Sequence, residues 1–296
     1  ESIDSAFLTR VLRSAGFESA EVLDFAAERI GTGQLGRCYR FRLELAGDGY
    51  GAPRSLVGKF PSDDAKSRET GVALGLYRKE VEFYRTLAPR LRIRTPRCYF
   101  AQVDGVGPDF ALILEDMAPA IAGDQIRGCS AEVARAAALE VAGLHAPTWC
   151  DAKLRQVDWV VGSSGASRPL YEALLPAFIA RYGGELDADV IGILRRVAGA
   201  SGPPFEYPED PFSVVHIDYR LDNLLIDVAY LLGASLLPEV RRPVEREIVR
   251  AYHARLIELG VRSYDWERCW ADYRRGSFAG FAVTVVASMI VQETPR

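Results

Sequence analysis

Val214-Val215-His216-Ile217-Asp218-Tyr219-Arg220-Leu221-Asp222-Asn223-Leu224-Leu225-Ile226 is the stretch on which the reading turns. An apolar strand enters it, H-x-D-x-x-x-x-N follows, and Leu224-Leu225-Ile226 reads as a second apolar strand leading away. A carboxylate a few residues ahead of an amide, on one loop, has a definite chemical use. Asp218 can orient an attacking hydroxyl and accept its proton, while the amide oxygen of Asn223 can coordinate Mg²⁺ without adding charge. His216 is expected to brace the loop by hydrogen bonds, and Arg220 and Asp222 read as ordinary loop charges. So short a pattern also arises by chance, so its weight depends on what precedes it in the chain.

Upstream stands Gly31-Thr32-Gly33-Gln34-Leu35-Gly36, whose glycines let backbone N–H groups approach phosphate oxygens unobstructed. A dinucleotide-binding turn would pass directly into a helix, but Cys38 to Leu43 alternates like a strand. A strand-loop-strand setting fits a flap over phosphates, although a plain Gly-rich hairpin turn has the same letters. The next strand, Ser55 to Phe60, carries Lys59. A helix expected over 70–87 then puts Leu76, Glu80, Phe83, Tyr84 and Leu87 on one face and turns Glu82 away. A carboxylate on an apolar face is costly unless a cation neutralises it, which makes Lys59 the expected partner of Glu80.

Strand-like segments at 25–30, 38–45, 55–60, 97–103 and 110–114 precede a mainly helical remainder. Helices are expected at 130–145, 169–182, 187–198, 240–260 and 265–291, the first capped by Ser130. The expected fold class is α+β: an N-terminal antiparallel-sheet lobe with a helix, 1–117, and a larger mainly helical lobe, 118–296, meeting near Glu115 to Pro119.

A net charge of −4 with dispersed basic residues argues against a nucleic-acid partner. The five cysteines are odd in number and widely spaced, which suits a reducing cytoplasm and offers no zinc pattern. The opening residues mix charges with Ile3, Phe7, Leu8, Val11 and Leu12 at helical spacing, an amphipathic helix rather than a secretion signal. The uncharged run 276–292 holds fewer apolar residues than the ~17–25 that a membrane span needs and is expected to be a buried terminal helix. Oligomeric state is not legible.

Together these residues resemble the aminoglycoside phosphotransferase and choline-kinase-like superfamily, and within it the ecdysteroid-kinase-like branch. The resemblance rests on Gly31 to Gly36, Lys59, Glu80 with Val81, Phe83 and Tyr84, Leu112 to Met117, Gly123-Asp124-Gln125, Leu144-His145 and His216 to Asn223, and spans most of the chain. It implies a protein-kinase-like two-lobed fold, with ATP and Mg²⁺ as cofactors and a hydroxylated small molecule as acceptor. Asp218 would be the catalytic base and Asn223 the metal ligand. Gly31, Gly33 and Gly36 would cover the phosphates, Lys59 held by Glu80 would fix them, and the main chain at Glu115, Asp116 and Met117 would bind adenine. His145 and the Gly-Asp-Gln stretch are expected to be structural.

One part of the family pattern is missing. A second metal-binding aspartate should follow the asparagine on a short hairpin, yet Ile226-Asp227 runs directly into Val228-Ala229-Tyr230-Leu231-Leu232. An extended Leu224–Asp227 would carry Asp227 ~13 Å from Asn223, too far to share an ion. Either a segment between 227 and 228 is omitted from a longer chain, or it is deleted and the protein is a catalytically silent nucleotide-binding pseudokinase. A protein kinase is disfavoured because no A-P-E motif follows the loop. The acids of the helical lobe are too scattered for a polycationic aminoglycoside, whereas aromatics such as Trp149, Tyr171, Phe178 and Trp266 suit an amphiphilic alcohol.

Overall fold

The computed structural model describes residues 3–31, 33, 35–121, 123–124, 127–161, 167–202, 204–206, 209–216, 220–222 and 225–290, with the main chain alone at 220–222. The fold is α+β and divides into two compact units, Glu1–Arg90 with Arg94–Ala122 and Leu91–Ile93 with Gly123–Arg296.

The first unit contains α1 (Ser5–Ser14), β1 (Val22–Ile30), β2 (Gly36–Leu45), β3 (Ser55–Pro61), α2 (Ala65–Ala73), α3 (Leu76–Glu82), β4 (Cys98–Val103) and β5 (Phe110–Glu115). The five strands form one antiparallel sheet in the order β1-β2-β3-β5-β4. Strand alternation divides its side chains between two cores. Phe41, Leu43 and Ile113 pack with Phe7, Leu8, Val11 and Leu12, the apolar stripe of α1, whose N-cap Asp4 accepts the Phe7 N–H at 2.7 Å. On the other face, Phe110, Leu112 and Leu114 meet Tyr77 and Val81 of α3.

The helix expected over 70–87 is interrupted. Gly75 stands at φ +65°, where a residue with a side chain is strained, and separates α2 from α3; a π turn follows at Phe83–Leu87. Phe83 and Leu87 of the expected stripe are buried, together with Tyr77 and Val81, whereas Leu76, Glu80 and Tyr84 are half-buried.

The second unit contains α4 (Ala131–His145), α5 (Arg168–Tyr182), α6 (Ala188–Gly199), β6 (Ser213–Val215), β7 (Arg220–Asp222), α7 (Leu225–Ser235), α8 (Pro238–Glu258), α9 (Trp266–Gly276) and α10 (Ala279–Ile290). Its main core joins α4, α7, α8 and α9 through residues such as Ala138, Leu232, Tyr252 and Cys269. A second cluster joins α5, α6 and α10 through Tyr171, Leu194 and Val285. Ser130 caps α4, its hydroxyl accepting the Val133 N–H at 3.3 Å.

Two sequence expectations change here. Leu225 and Ile226 do not form a strand; they open α7, because Leu225, Val228, Ala229 and Leu232 fall at i, i+3, i+4 and i+7 and bury one helical stripe. Burying such a Leu or Val contributes about 1.5–3 kcal/mol, which outweighs any local strand preference. The single helix expected over 265–291 is two, divided where the Ser277 hydroxyl bonds back to the Tyr273 carbonyl at 3.0 Å. Within α10, Ala282 and Val285 are buried and Ile290 is exposed, so this helix is amphipathic rather than fully buried. Among the described residues, no helix is long and apolar enough to cross a membrane.

Candidate active site

In the first unit, register places Lys59 of β3 opposite Cys38 of β2 and Leu112 of β5, and so on the sheet face that α3 covers. Its Nζ donates to both carboxylate oxygens of Glu80, at 2.6 and 2.8 Å. The two side chains keep 30% and 18% of their exposure, so the pair is partly desolvated while the ammonium can still reach a ligand. This joins two residues that the sequence reading expected to pair.

The glycine loop adjoins this lysine. Gly31 has φ +73°, and Gly36 begins β2 opposite Pro61. A Cβ on Gly36 would sit 3.1 Å from the Phe60 carbonyl and 3.2 Å from Cε of Lys59, so the bare glycine gives the lysine stem its path. A Cβ on Gly33 would meet the Gly36 carbonyl at 3.0 Å. The Tyr77 hydroxyl donates to the Leu35 carbonyl at 2.8 Å, tying the end of the loop to the helix that carries Glu80. Thr32 and Gln34 lie outside the described residues. Gly36→Val is expected to push the Lys59 stem from its path and cost about 1–3 kcal/mol in urea unfolding, with the sheet intact by circular dichroism.

The side chains of Glu115 and Asp116 are occupied within the chain. Glu115 accepts from Arg94 Nη2 at 2.6 Å and from the Arg97 N–H at 2.9 Å, contacts that hold its carboxyl below the usual range. Asp116 accepts from Arg40 at 2.7 and 3.1 Å, from the Ser55 hydroxyl at 2.5 Å and from the Ala118 N–H at 3.1 Å. Burial pushes its pKa up, but these bonds overcome that and bring it down to about 2. Asp116 thus clamps β2 and β3 to the turn after β5, while the Met117 carbonyl accepts the Ala120 N–H at 2.9 Å. A nucleotide base at this turn would therefore have to be read by the main chain.

The Asp116 clamp carries a pH signature. Its folded pKa lies below the unfolded value of ~3.9, so its contribution is complete above that value and is lost as pH falls through about 2. Asp116→Asn is expected to cost about 2 kcal/mol at pH 7 and about half of that at pH 3, measured by urea unfolding at both pH values.

In the second unit, β6 and β7 form a hairpin, Ser213 opposite Asp222 and Val215 opposite Arg220, and so flank the loop from both sides. Asp218 and Asn223 lie outside the described residues. The segment leading into them is held by a buried polar network. Oδ2 of Asp227, in the first turn of α7, accepts the His216 N–H at 2.6 Å and faces His145 Nε2 at 3.1 Å. His145 is fully buried, and its Nδ1 lies 2.7 Å from the Tyr252 hydroxyl. Burial, reinforced by Cys269 and Asp227, pushes the Tyr252 phenol well above its ordinary value, so it stays protonated and donates to Nδ1. The opposite ring nitrogen then donates to Asp227. Beside it, Ser213 and Thr148 share a hydroxyl contact of 2.6 Å, and Ser213 donates to the His145 carbonyl at 3.0 Å. His145 is structural, as expected.

Sequence reasoning weighed Asp227 only as a metal ligand and missed this role. The one signal was a lone charge in the apolar run 224–232. Among the described residues, no group of three His, Cys, Asp or Glu side chains could hold a metal ion. Asp227, a described carboxylate near the loop, is engaged by His216 and His145, and no step below is routed through a metal ion.

No family model and no curated protein matches this chain. Solved structures similar to this chain include aminoglycoside phosphotransferases and a choline kinase. One, described as a putative aminoglycoside phosphotransferase from Ralstonia eutropha, is 13% identical, with 97% of this chain and 99% of that chain covered and a TM-score of 0.49. The GDP complex of aminoglycoside 2'-phosphotransferase-IIIa has the same identity, coverage and TM-score. A choline kinase from Cryptosporidium parvum is 9% identical, with coverage of 96% and 94% and a TM-score of 0.42.

Proposed function

We propose that the protein is an ATP-dependent phosphotransferase that moves the γ-phosphoryl group to a hydroxyl of a small molecule. The observation that carries this reading is the Lys59–Glu80 pair beside the bare backbone of Gly36. A cation held at two points by a half-buried carboxylate is pre-set to meet phosphate oxygens, and the absence of a side chain at Gly36 leaves them room. Gly31 and Gly33 would complete the cover, and the main chain at Glu115, Asp116 and Met117 would take adenine. Asp218 would accept the proton of the acceptor hydroxyl as its oxygen bonds to the γ-phosphorus and ADP leaves. Asp227 would act on this step indirectly, by fastening His216 ahead of Asp218. The acceptor favoured is an amphiphilic alcohol.

The test is calorimetric titration with ATP and Mg²⁺ on wild type, Lys59→Met and Asn223→Ala, followed by a screen of hydroxylated acceptors for ADP release. Mg²⁺-dependent binding lost in both variants, with acceptor-dependent ADP release abolished by Asp218→Ala, is expected. Absence of nucleotide binding would sink the proposal. Tight ATP binding with no transfer to any alcohol would instead mark a nucleotide-binding pseudokinase.

A further inference from the structure

Tyr77 carries a hydroxyl that its packing does not require. The side chain is buried, its ring is stacked on Phe110 with centroids 4.8 Å apart, and it clusters with Val81, Leu112 and Leu114, contacts that a phenylalanine would make equally well. Only the hydroxyl reaches beyond this core, donating to the Leu35 carbonyl at 2.8 Å. Burial pushes the phenol pKa up, so the group stays protonated and remains a donor.

The ring holds this place because two neighbours are bare. A Cβ on Gly71 of α2 would lie 2.6 Å from Cζ of Tyr77 and 2.8 Å from its hydroxyl oxygen, and one on Gly107, in the turn between β4 and β5, would lie 2.7 Å from Cδ2. With Phe110 stacked against it as well, the ring has little room to swing away from an added methyl. Two helices and a hairpin thus aim one hydroxyl at one carbonyl of the glycine loop. Leu35 ends that loop, directly before Gly36, whose bare backbone borders the Lys59 stem. A loose loop must be ordered when phosphates bind, which lowers affinity, and a loop already anchored avoids that loss. Tyr77 and Glu80 stand three residues apart on α3, so one helix fixes both parts of the phosphate site, the loop through Leu35 and the ammonium through Lys59.

We infer that Tyr77 is a positioning residue for the nucleotide phosphates, its hydroxyl holding the glycine loop in place beside Lys59 before ATP arrives. The inference rests on the phosphotransferase reading and adds to it a determinant of ATP affinity that acts through the loop.

Tyr77→Phe removes one oxygen and keeps the ring. It should weaken Mg²⁺-dependent ATP binding to the full chain by about fivefold in calorimetry, the share of one hydrogen bond. Adenosine, which has no phosphate to meet the loop, should bind the variant as it binds wild type, read by ligand-observed nuclear magnetic resonance. Gly71→Ala, whose methyl pushes the Tyr77 ring from its place, should reproduce the loss for ATP and again spare adenosine. Melting curves establish that each variant is folded. The inference is overturned if Tyr77→Phe binds ATP as wild type does, or if ATP and adenosine weaken alike, which would make the role of the hydroxyl a general structural one. A wild type that binds no ATP would bring down the phosphotransferase reading and this inference with it, whereas equal ATP binding by wild type and Tyr77→Phe brings down this inference alone.

Discussion

Lys59→Met is expected to lower phosphoryl transfer by at least about a hundredfold while leaving a folded protein. Methionine keeps most of the aliphatic stem over Gly36, so packing changes little and the loss is that of the ammonium. Glu80 then has no cation, but with 18% of its side chain exposed it can take up water, and the stability cost should be modest, about 1 kcal/mol. Glu80→Gln removes the clamp but keeps the cation; Lys59 becomes free to rotate, so ATP affinity should fall by about tenfold with a smaller effect on turnover. The double variant separates the roles. If Glu80 acts through Lys59, Glu80→Gln adds nothing once Lys59 is methionine, and a full additional loss would instead mean that Glu80 meets the substrate independently. Steady-state ADP release with a responsive acceptor, together with ATP calorimetry, reads both effects.

The parts of this molecule that were legible in its sequence are those whose determinants are local. The strands of the first unit announce themselves by alternation, and α4 by Ser130 and its apolar spacing, because each signal lies within the element it specifies. The Lys59–Glu80 pair was legible for a subtler reason: a carboxylate near an apolar helical stripe demands a cation, and the neighbouring strand offers one. The stripe was legible in part: Phe83 and Leu87 are buried, but Tyr77 and Val81 take the buried place expected of Leu76, with a π turn between the two halves. The segment after Asn223 was misread because a short apolar run satisfies strand and helix alike, and the choice falls to packing against α4, α8 and α9. Asp116 was read as part of a base-binding turn, but its carboxylate is engaged by Arg40 and Ser55, partners far away in sequence that alternation alone could not name.

Asp227 is the strongest case of a determinant hidden by distance, and its removal should have the largest effect on stability. Two of its partners, the His216 N–H and His145 Nε2, are brought to it by β6 and α4, and the carboxylate is almost fully buried. Asp227→Ala strips both of their acceptor and leaves a cavity in the first turn of α7, so a loss of about 3–5 kcal/mol in urea unfolding is expected. Asp227→Asn should cost far less, about 1–2 kcal/mol. Both contacts fall on Oδ2, so an amide oxygen in its place can still accept from the His216 N–H and from His145 Nε2, while the NH₂ group takes the place of Oδ1. His145 then keeps its proton on Nε2, and the Tyr252 hydroxyl, 2.7 Å from Nδ1, goes on donating. Asp227→Asn combined with Tyr252→Phe should therefore cost about the sum of the two single losses. A double variant that loses far more than the sum would mean that the amide turns its NH₂ group to His145, which must then move its proton to Nδ1 and draw on the Tyr252 hydroxyl as acceptor.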